Sequence, residues 1–331
     1  MEKTFIMITF FACPKPFHSH INVIQRNAIK SWTLLQPRPE IILLGNEEGV
    51  AEVCNEFHLN HNTNIKRNEY GTPLINSVFQ VGQEKASYPI VCYVNCDIML
   101  MNDFIQVVKI VSTQMAKFLI LGQRWDIDIK QAWDFSSNNW EKDLNALLAQ
   151  TGKLHAQNAM DFFIFPRGMY TDIPPFAIGR LTWDNWLVWR ARMNNIPIID
   201  ATNSVVIAHQ NHEYFPGTFK KSGLKEIDSG FRGKSSKRKK VYDDIFIDLG
   251  PEARQNLALV PVEQNLNIKA ATWVIDLQGE LKRRRFDLKF SFIYYQLKCI
   301  FPLYWPAFGR LMRWILNARR VFLRWIHYAY Y

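Results

Sequence analysis

The chain reads as an α/β protein with a mostly parallel central sheet flanked by helices. Three observations predict it. The first is a nearly unbroken apolar run, Ile90-Val91-Cys92-Tyr93-Val94, of the kind found in strands buried on both faces. The second is the strand–helix alternation of the first hundred residues, with short loops between elements. The third is composition: 331 residues, 48% hydrophobic and 14% aromatic, describe a globular chain able to bury a sizeable core.

The elements follow in order. Phe5–Ala12 is a first strand, stopped by Cys13-Pro14-Lys15-Pro16; it is too short and lacks the basic flank of a signal peptide. Ser19 to Leu35 is helical, with Ile21, Ile24, Ala28 and Trp32 at helical spacing and Pro37 as the stop. Glu40–Leu44 is a strand closed by Gly45-Asn46; Gly49–Phe57 and Thr72–Lys85 are helices. Pro89–Met99 is the central strand. Phe118–Leu121, Asp161–Phe165 and Ser204–Ala208 are further strands, the last ending on His209, and Trp183–Met193 is a helix. Pro216–Lys240, rich in Lys, Ser and Gly, is expected to be a mobile basic loop or lid, and Asn267–Asp276 a last strand. This divides the chain into a catalytic domain over 1–215 (halves 1–100 and 101–215), a basic loop over 216–245, a completing strand segment over 246–281 and a tail over 282–331.

Charge separates the tail from the body. The chain carries a formal +10, and residues 282–331 hold eleven Lys or Arg against the single acid Asp287, so the body is neutral. A nucleic-acid groove across the body is therefore disfavoured. From Pro306 a helical winding puts Phe308, Leu311, Ile315, Leu316, Phe322 and Leu323 on one face and Arg310, Arg313, Arg320 and Arg324 on the other, with tryptophans and tyrosines at the borders. That pattern predicts C-terminal amphipathic helices lying on an anionic membrane surface, peripheral and on the cytoplasmic side. The five scattered cysteines form no disulfide framework and suit a reducing compartment.

Asp97, flanked by Asn95, ends the central strand. In open α/β sheets ligands bind at the carboxyl ends of the strands, and a lone carboxylate there suits a divalent metal holding a diphosphate. No GxGxxG or GxxxxGK[ST] occurs in the chain, so a dinucleotide fingerprint and a P-loop are unsupported.

Four segments, Tyr93-Val94-Asn95-Cys96-Asp97-Ile98, Asp161-Phe162-Phe163-Ile164-Phe165, Gly179 to Leu187 and Val206 to His212, follow an order and spacing that resembles the GT-A-type, nucleotide-sugar-dependent glycosyltransferases over roughly 1–215. The resemblance implies a GT-A-like sheet and sugar transfer from a nucleoside diphosphate to a hydroxyl of a glycan or lipid-linked glycan. Asn95-Cys96-Asp97 then stands where that family carries D-x-D, with Asn in place of the first Asp. Asp97 is the implied anchor for Mn²⁺ or Mg²⁺, and His209, with His212 as the alternative, completes the metal shell. Asp184 is the implied acceptor-side base, with Trp183 and Trp186 as sugar platforms.

The same resemblance puts the base and ribose near Phe11, Ala12 and Asn46, and a phosphate near the helix opened by Tyr70–Leu74. It offers Arg124 to the diphosphate or a sugar carboxylate, with a surface salt bridge as the other reading, and Asp161 to sugar hydroxyls, with strand capping as the other. Two further functions stay open: a nucleotidyltransferase on a similar sheet, and a membrane-bound assembly module without turnover.

Overall fold

A computed structural model describes residues 7–155, 160–180, 182–212, 251–259 and 274–276. Among them the order is β1 (Ile8–Ala12), α1 (Ser19–Thr33), β2 (Glu40–Leu44), α2 (Val50–Phe57), β3 (Asn60–Asn62), α3 (Ile75–Lys85), β4 (Ile90–Val94), β5 (Ile98–Met99), α4 (Asp103–Ser112) and β6 (Leu119–Leu121). There follow β7 (Trp125–Ile127), α5 (Trp140–Thr151), β8 (Lys153–Leu154), β9 (Phe162–Pro166), α6 (Trp183–Met193), β10 (Ile198–Asp200), β11 (Ala208–Gln210), α7 (Pro251–Ala258) and β12 (Val274–Asp276).

The main sheet has eight strands in the order β12-β10-β6-β9-β4-β1-β2-β3. Its pairings are parallel except those of β9, which runs antiparallel to both β4 and β6. The expected parallel α/β sheet is present, and β9 places a functional residue. Because β9 runs backwards, the residue before it sits at the edge where the parallel strands end. Val94 pairs with Phe162, so Asp161 lies beside Asn95, and the Asn95 amide donates to the Asp161 carbonyl at 2.9 Å.

A second sheet of four short strands, β5-β11-β7-β8, stands apart from the first. The segment expected as one strand over Pro89–Met99 is two: β4 leaves the main sheet at Val94, and β5 joins the small sheet antiparallel to β11. The physical reason is a tight turn at the polar residues 95–97, closed by Ile98 N–H donating to Asn95 O at 3.2 Å. The strand expected over Ser204–Ala208 begins only at Ala208. Ser204 and Val205 instead donate to Ala201 O in a turn, which uses up their backbone donors.

The core between α3, α6 and the main sheet is aromatic: Phe79 stacks on Tyr93 and Phe165, and Phe11 meets all three edge-on. Gly82 allows this approach, since a Cβ there would sit 2.4 Å from Phe11 Cδ2. Helix α1 covers the small sheet with a mixed face. Trp32 donates from its indole to Ile98 O at 2.8 Å, and buried Asn27 donates to Gln210 Oε1 at 2.9 Å. Helix α3 follows Tyr70–Leu74 but begins at Ile75 rather than Thr72, and its first amide, Ile75 N–H, is taken by Phe176 O. The loop at 216–240, the strand residues before Val274 and the tail at 282–331 lie outside the described residues.

Candidate active site

The turn between β4 and β5 carries Asp97 at the carboxyl edge of the parallel strands. Strand β11 runs beside β5 and ends at Gln210, with Asn211 and His212 following it. Its His209 and the following His212 both reach Asp97: Nε2 of His212 lies 3.1 Å from Asp97 Oδ2, and Nε2 of His209 lies 3.7 Å from the same oxygen. One ligand atom from each residue lies within 4.8 Å of the other two. His212, expected as a competitor to His209, is instead its companion.

Buried Gln210 sets this spacing. Its backbone N–H donates to Asp97 O at 3.1 Å, its side chain donates to Ile24 O and Asp97 O, and its Oε1 accepts from Asn27. Burial acts against ionisation of Asp97, but the His209 imidazole, the His212 hydrogen bond and the nearby Lys15 ammonium outweigh it and hold the carboxyl well below its usual range. Burial likewise disfavours protonated His209, yet Asp97 and Asp126 raise its pKa above the ordinary value.

The set suits a divalent cation. It is an anionic carboxylate with two imidazoles, and Asp97 Oδ1 is buried with no hydrogen-bond partner among the described residues.

A second group of charges adjoins it. Asn95 Nδ2 donates to Asp161 Oδ1 at 2.7 Å, and its Oδ1 accepts from the Tyr93 hydroxyl at 3.0 Å. Both ends of the Asn95 amide are thus used within the protein. Arg124 Nη1 donates to both Asp161 oxygens at 3.1 and 2.9 Å, and its Nε donates to Asp126 Oδ1 at 2.9 Å. Arg124 is buried at 8% exposure, so the surface salt bridge is corrected to a buried one. Asp161 is buried too, held by Arg124 and Asn95 rather than serving as a simple strand cap.

Asp184 opens α6 and remains partly exposed. Its Oδ1 accepts from the backbone and side chain of Asn185 at 2.8 and 3.1 Å. Burial and the Asp161 charge push its pKa up to about 6, against the pull of those hydrogen bonds. Such a carboxylate accepts a proton near neutral pH. The residue before α6, Thr182, holds φ at +90°, a strained conformation for a β-branched side chain.

Other expected residues fall elsewhere. Trp183 and Trp186 are buried at 6% and 4% exposure, Trp183 against Tyr93 and Phe163, Trp186 against Phe176 and Trp189. They are core, and the expectation of exposed sugar platforms is corrected: the apolar face of α6 needed them for packing. Phe11 and Ala12 are fully buried, so their side chains offer no surface to a base or ribose. Asn46 is exposed at the end of β2, where Arg67 donates to its Oδ1 at 2.8 Å. Sequence reasoning missed Asp126 as a site residue, because only the pairing of β7 with β11 reveals its neighbour.

No family model and no curated protein matches the chain. Among solved structures it is similar to S. aureus TarS 1-349, at 9% identity and a TM-score of 0.45 over 81% of this chain and 72% of that one. The complex of the same protein with UDP-GlcNAc gives 10% and 0.44 over 88% and 79%. M. tuberculosis glucosyl-3-phosphoglycerate synthase with Mn²⁺, UDP-Glc and phosphoglyceric acid gives 14% and 0.41 over 78% and 80%. Likenesses at this level leave the chemistry to be read from the chain's own residues.

Proposed function

We propose that the chain is a glycosyltransferase that moves a sugar from a nucleoside-diphosphate donor to a hydroxyl of a glycan or lipid-linked glycan. The observation that carries this reading is the convergence of Asp97, His209 and His212 at the carboxyl edge of a parallel sheet, with Asp184 raised to about 6 beside Asp161. In this reading Asp97, His209 and His212 hold Mn²⁺ or Mg²⁺. Bound there, such a cation would supply charge neutralisation to a departing diphosphate.

The chain's own residues perform the rest. Asp184 takes the proton of the acceptor hydroxyl as its oxygen bonds to the anomeric carbon, and the bond from that carbon to the diphosphate oxygen breaks with its electron pair. Asp161, fixed by Arg124 and Asn95, maintains the field that keeps Asp184 basic. An inverted anomeric product supports Asp184 as base. A retained one assigns it to orienting the acceptor.

The same donor set, two imidazoles and one carboxylate, also belongs to non-haem Fe(II) oxygenases. Metal content of the purified protein separates the two readings. The deciding experiment is thermal stabilisation by UDP, GDP, CDP and dTDP with and without Mn²⁺, on wild type and Asp97→Ala. A metal-dependent shift with one nucleotide, absent in the variant, supports transfer and names the base. No shift with any nucleotide moves the reading to a non-catalytic assembly module.

We also read the basic, aromatic segment 282–331 as the membrane foot that would bring the enzyme to such an acceptor at the cytoplasmic face. No helix among the described residues is long and apolar enough to cross a membrane. Co-sedimentation with vesicles containing anionic lipid, lost on truncation after residue 281 and absent with neutral vesicles, checks this.

A further inference from the structure

Strands β7 and β11 run parallel, and their register sets Asp126 directly beside His209. The Asp126 Oδ1 atom lies 3.1 Å from His209 Nδ1. That nitrogen is buried, and the Asp126 carboxylate is the group that faces it. The opposite nitrogen of the same ring, Nε2, is the one that faces Asp97. An imidazole ligates a metal through an unprotonated nitrogen, so its proton must reside on the other one. A carboxylate facing that other nitrogen fixes both the tautomer and the orientation of the ring.

Asp126 is built to stay in place and stay charged. Arg124 Nε donates to its Oδ1 at 2.9 Å, and Nδ1 of the part-exposed His155 lies 2.7 Å from its Oδ2. Arg124 is in turn tied to Asp161, and Asp161 to Asn95. The carboxylate is therefore held from three sides, by Arg124 just before β7, His209 on β11 and His155 just after β8. An ion pair serving only to join β7 to β11 would not need its oxygen against the one His209 nitrogen that faces away from Asp97.

We propose that Asp126 is the positioning carboxylate of the metal centre: it keeps the His209 proton on Nδ1 and presents Nε2 to a divalent cation shared with Asp97 and His212. This rests on the metal reading of the site. Asp126 touches neither the cation nor a substrate; it acts through His209, and Arg124 and His155 act through it.

The test uses the full chain with Mn²⁺ as the probe, in wild type, Asp126→Ala and the isosteric Asp126→Asn. Mn²⁺ affinity is followed by the electron-paramagnetic-resonance signal of the free ion, and the His209 tautomer by ¹⁵N chemical shifts in metal-free protein. The expected result is a His209 protonated on Nδ1 in wild type, a mixed tautomer in Asp126→Ala, and Mn²⁺ binding weakened about 10- to 100-fold there. Asp126→Asn, whose amide oxygen still accepts from Nδ1–H, should fall between the two. A merely structural role would lower the melting temperature and leave tautomer and affinity unmoved. Wild-type affinity and tautomer in folded Asp126→Asn and Asp126→Ala overturn the proposal alone. Failure of wild type to bind Mn²⁺ overturns the metal reading and the proposal with it.

Discussion

The side-chain amide of Asn95 donates to Oδ1 of Asp161 at 2.7 Å, across the ends of the antiparallel pair β4 and β9. A carboxylate at 95 would face another carboxylate there. Asp161 already supplies a negative charge at this edge, and Asn95 meets it with a donor. Asn95→Asp is expected to lose about 1–3 kcal/mol of stability by removing that donor and setting like charges together. Protonating one of the pair relieves the repulsion, so the gap to wild type should narrow between pH 8 and pH 5. Urea melts at the two pH values check it.

Asp184 ties activity and stability to one titration. As a base it must be ionised, so turnover should rise as pH increases through about 6 and level off above it. Its folded pKa lies above the unfolded carboxylate value. Stability is thus fullest below pH 4, falls as pH rises towards 6 and stays lower beyond. Asp184→Asn should cut turnover about 10²- to 10⁴-fold. At pH 7 it should add stability on the order of 2 kcal/mol, since the partly buried charge beside Asp161 is gone. Asn185 keeps its acceptor, because the asparagine oxygen replaces Oδ1. Paired activity and melting curves decide: a variant both inactive and no more stable would sink the pKa argument.

Metal should appear as stability. Mn²⁺ at about a hundredfold over its dissociation constant stabilises by about 2.7 kcal/mol, and chelation reverses it. Asp97→Ala, His209→Ala and His212→Ala should each abolish the shift in differential scanning fluorimetry. An unchanged shift in all three would place the metal elsewhere.

Gly82→Ala should destabilise by about 1–3 kcal/mol although alanine suits helices better than glycine. Its Cβ would meet Phe11 Cδ2 at 2.4 Å and Cγ at 2.5 Å, and that ring is locked among Phe79, Tyr93 and Phe165. Chemical denaturation of the single variant measures the loss.

The legible parts of the sequence were those whose local chemistry agreed with their tertiary role. Strands β1, β2 and β4 are apolar on both faces, and α6 begins and ends where its pattern does. Asp97 could be singled out because a carboxylate follows the apolar run of β4, and His209 through the resemblance its segment carries. The companion residues were hidden by pairing at a distance. Strand β11 includes Gln210, whose polar side chain argues against a buried strand until its partners on α1 and Asp97 are seen. Asp126 gains its meaning from register with His209, which no spacing along the chain encodes. Trp183 and Trp186 carry the opposite lesson: an aromatic pair around a carboxylate served packing.

Gln210 sits between the two histidines in sequence and spends its whole amide on α1 and on the backbone of Asp97. The separation of the three candidate ligands is consequently referenced to a helix formed by residues 19–33, and not to the loops around the site. A lineage could therefore remodel those loops to accept new donors or acceptors while the ligand triangle keeps its size, whereas drift at Asn27 or Gln210 would reach the centre without either residue ever touching what is bound there.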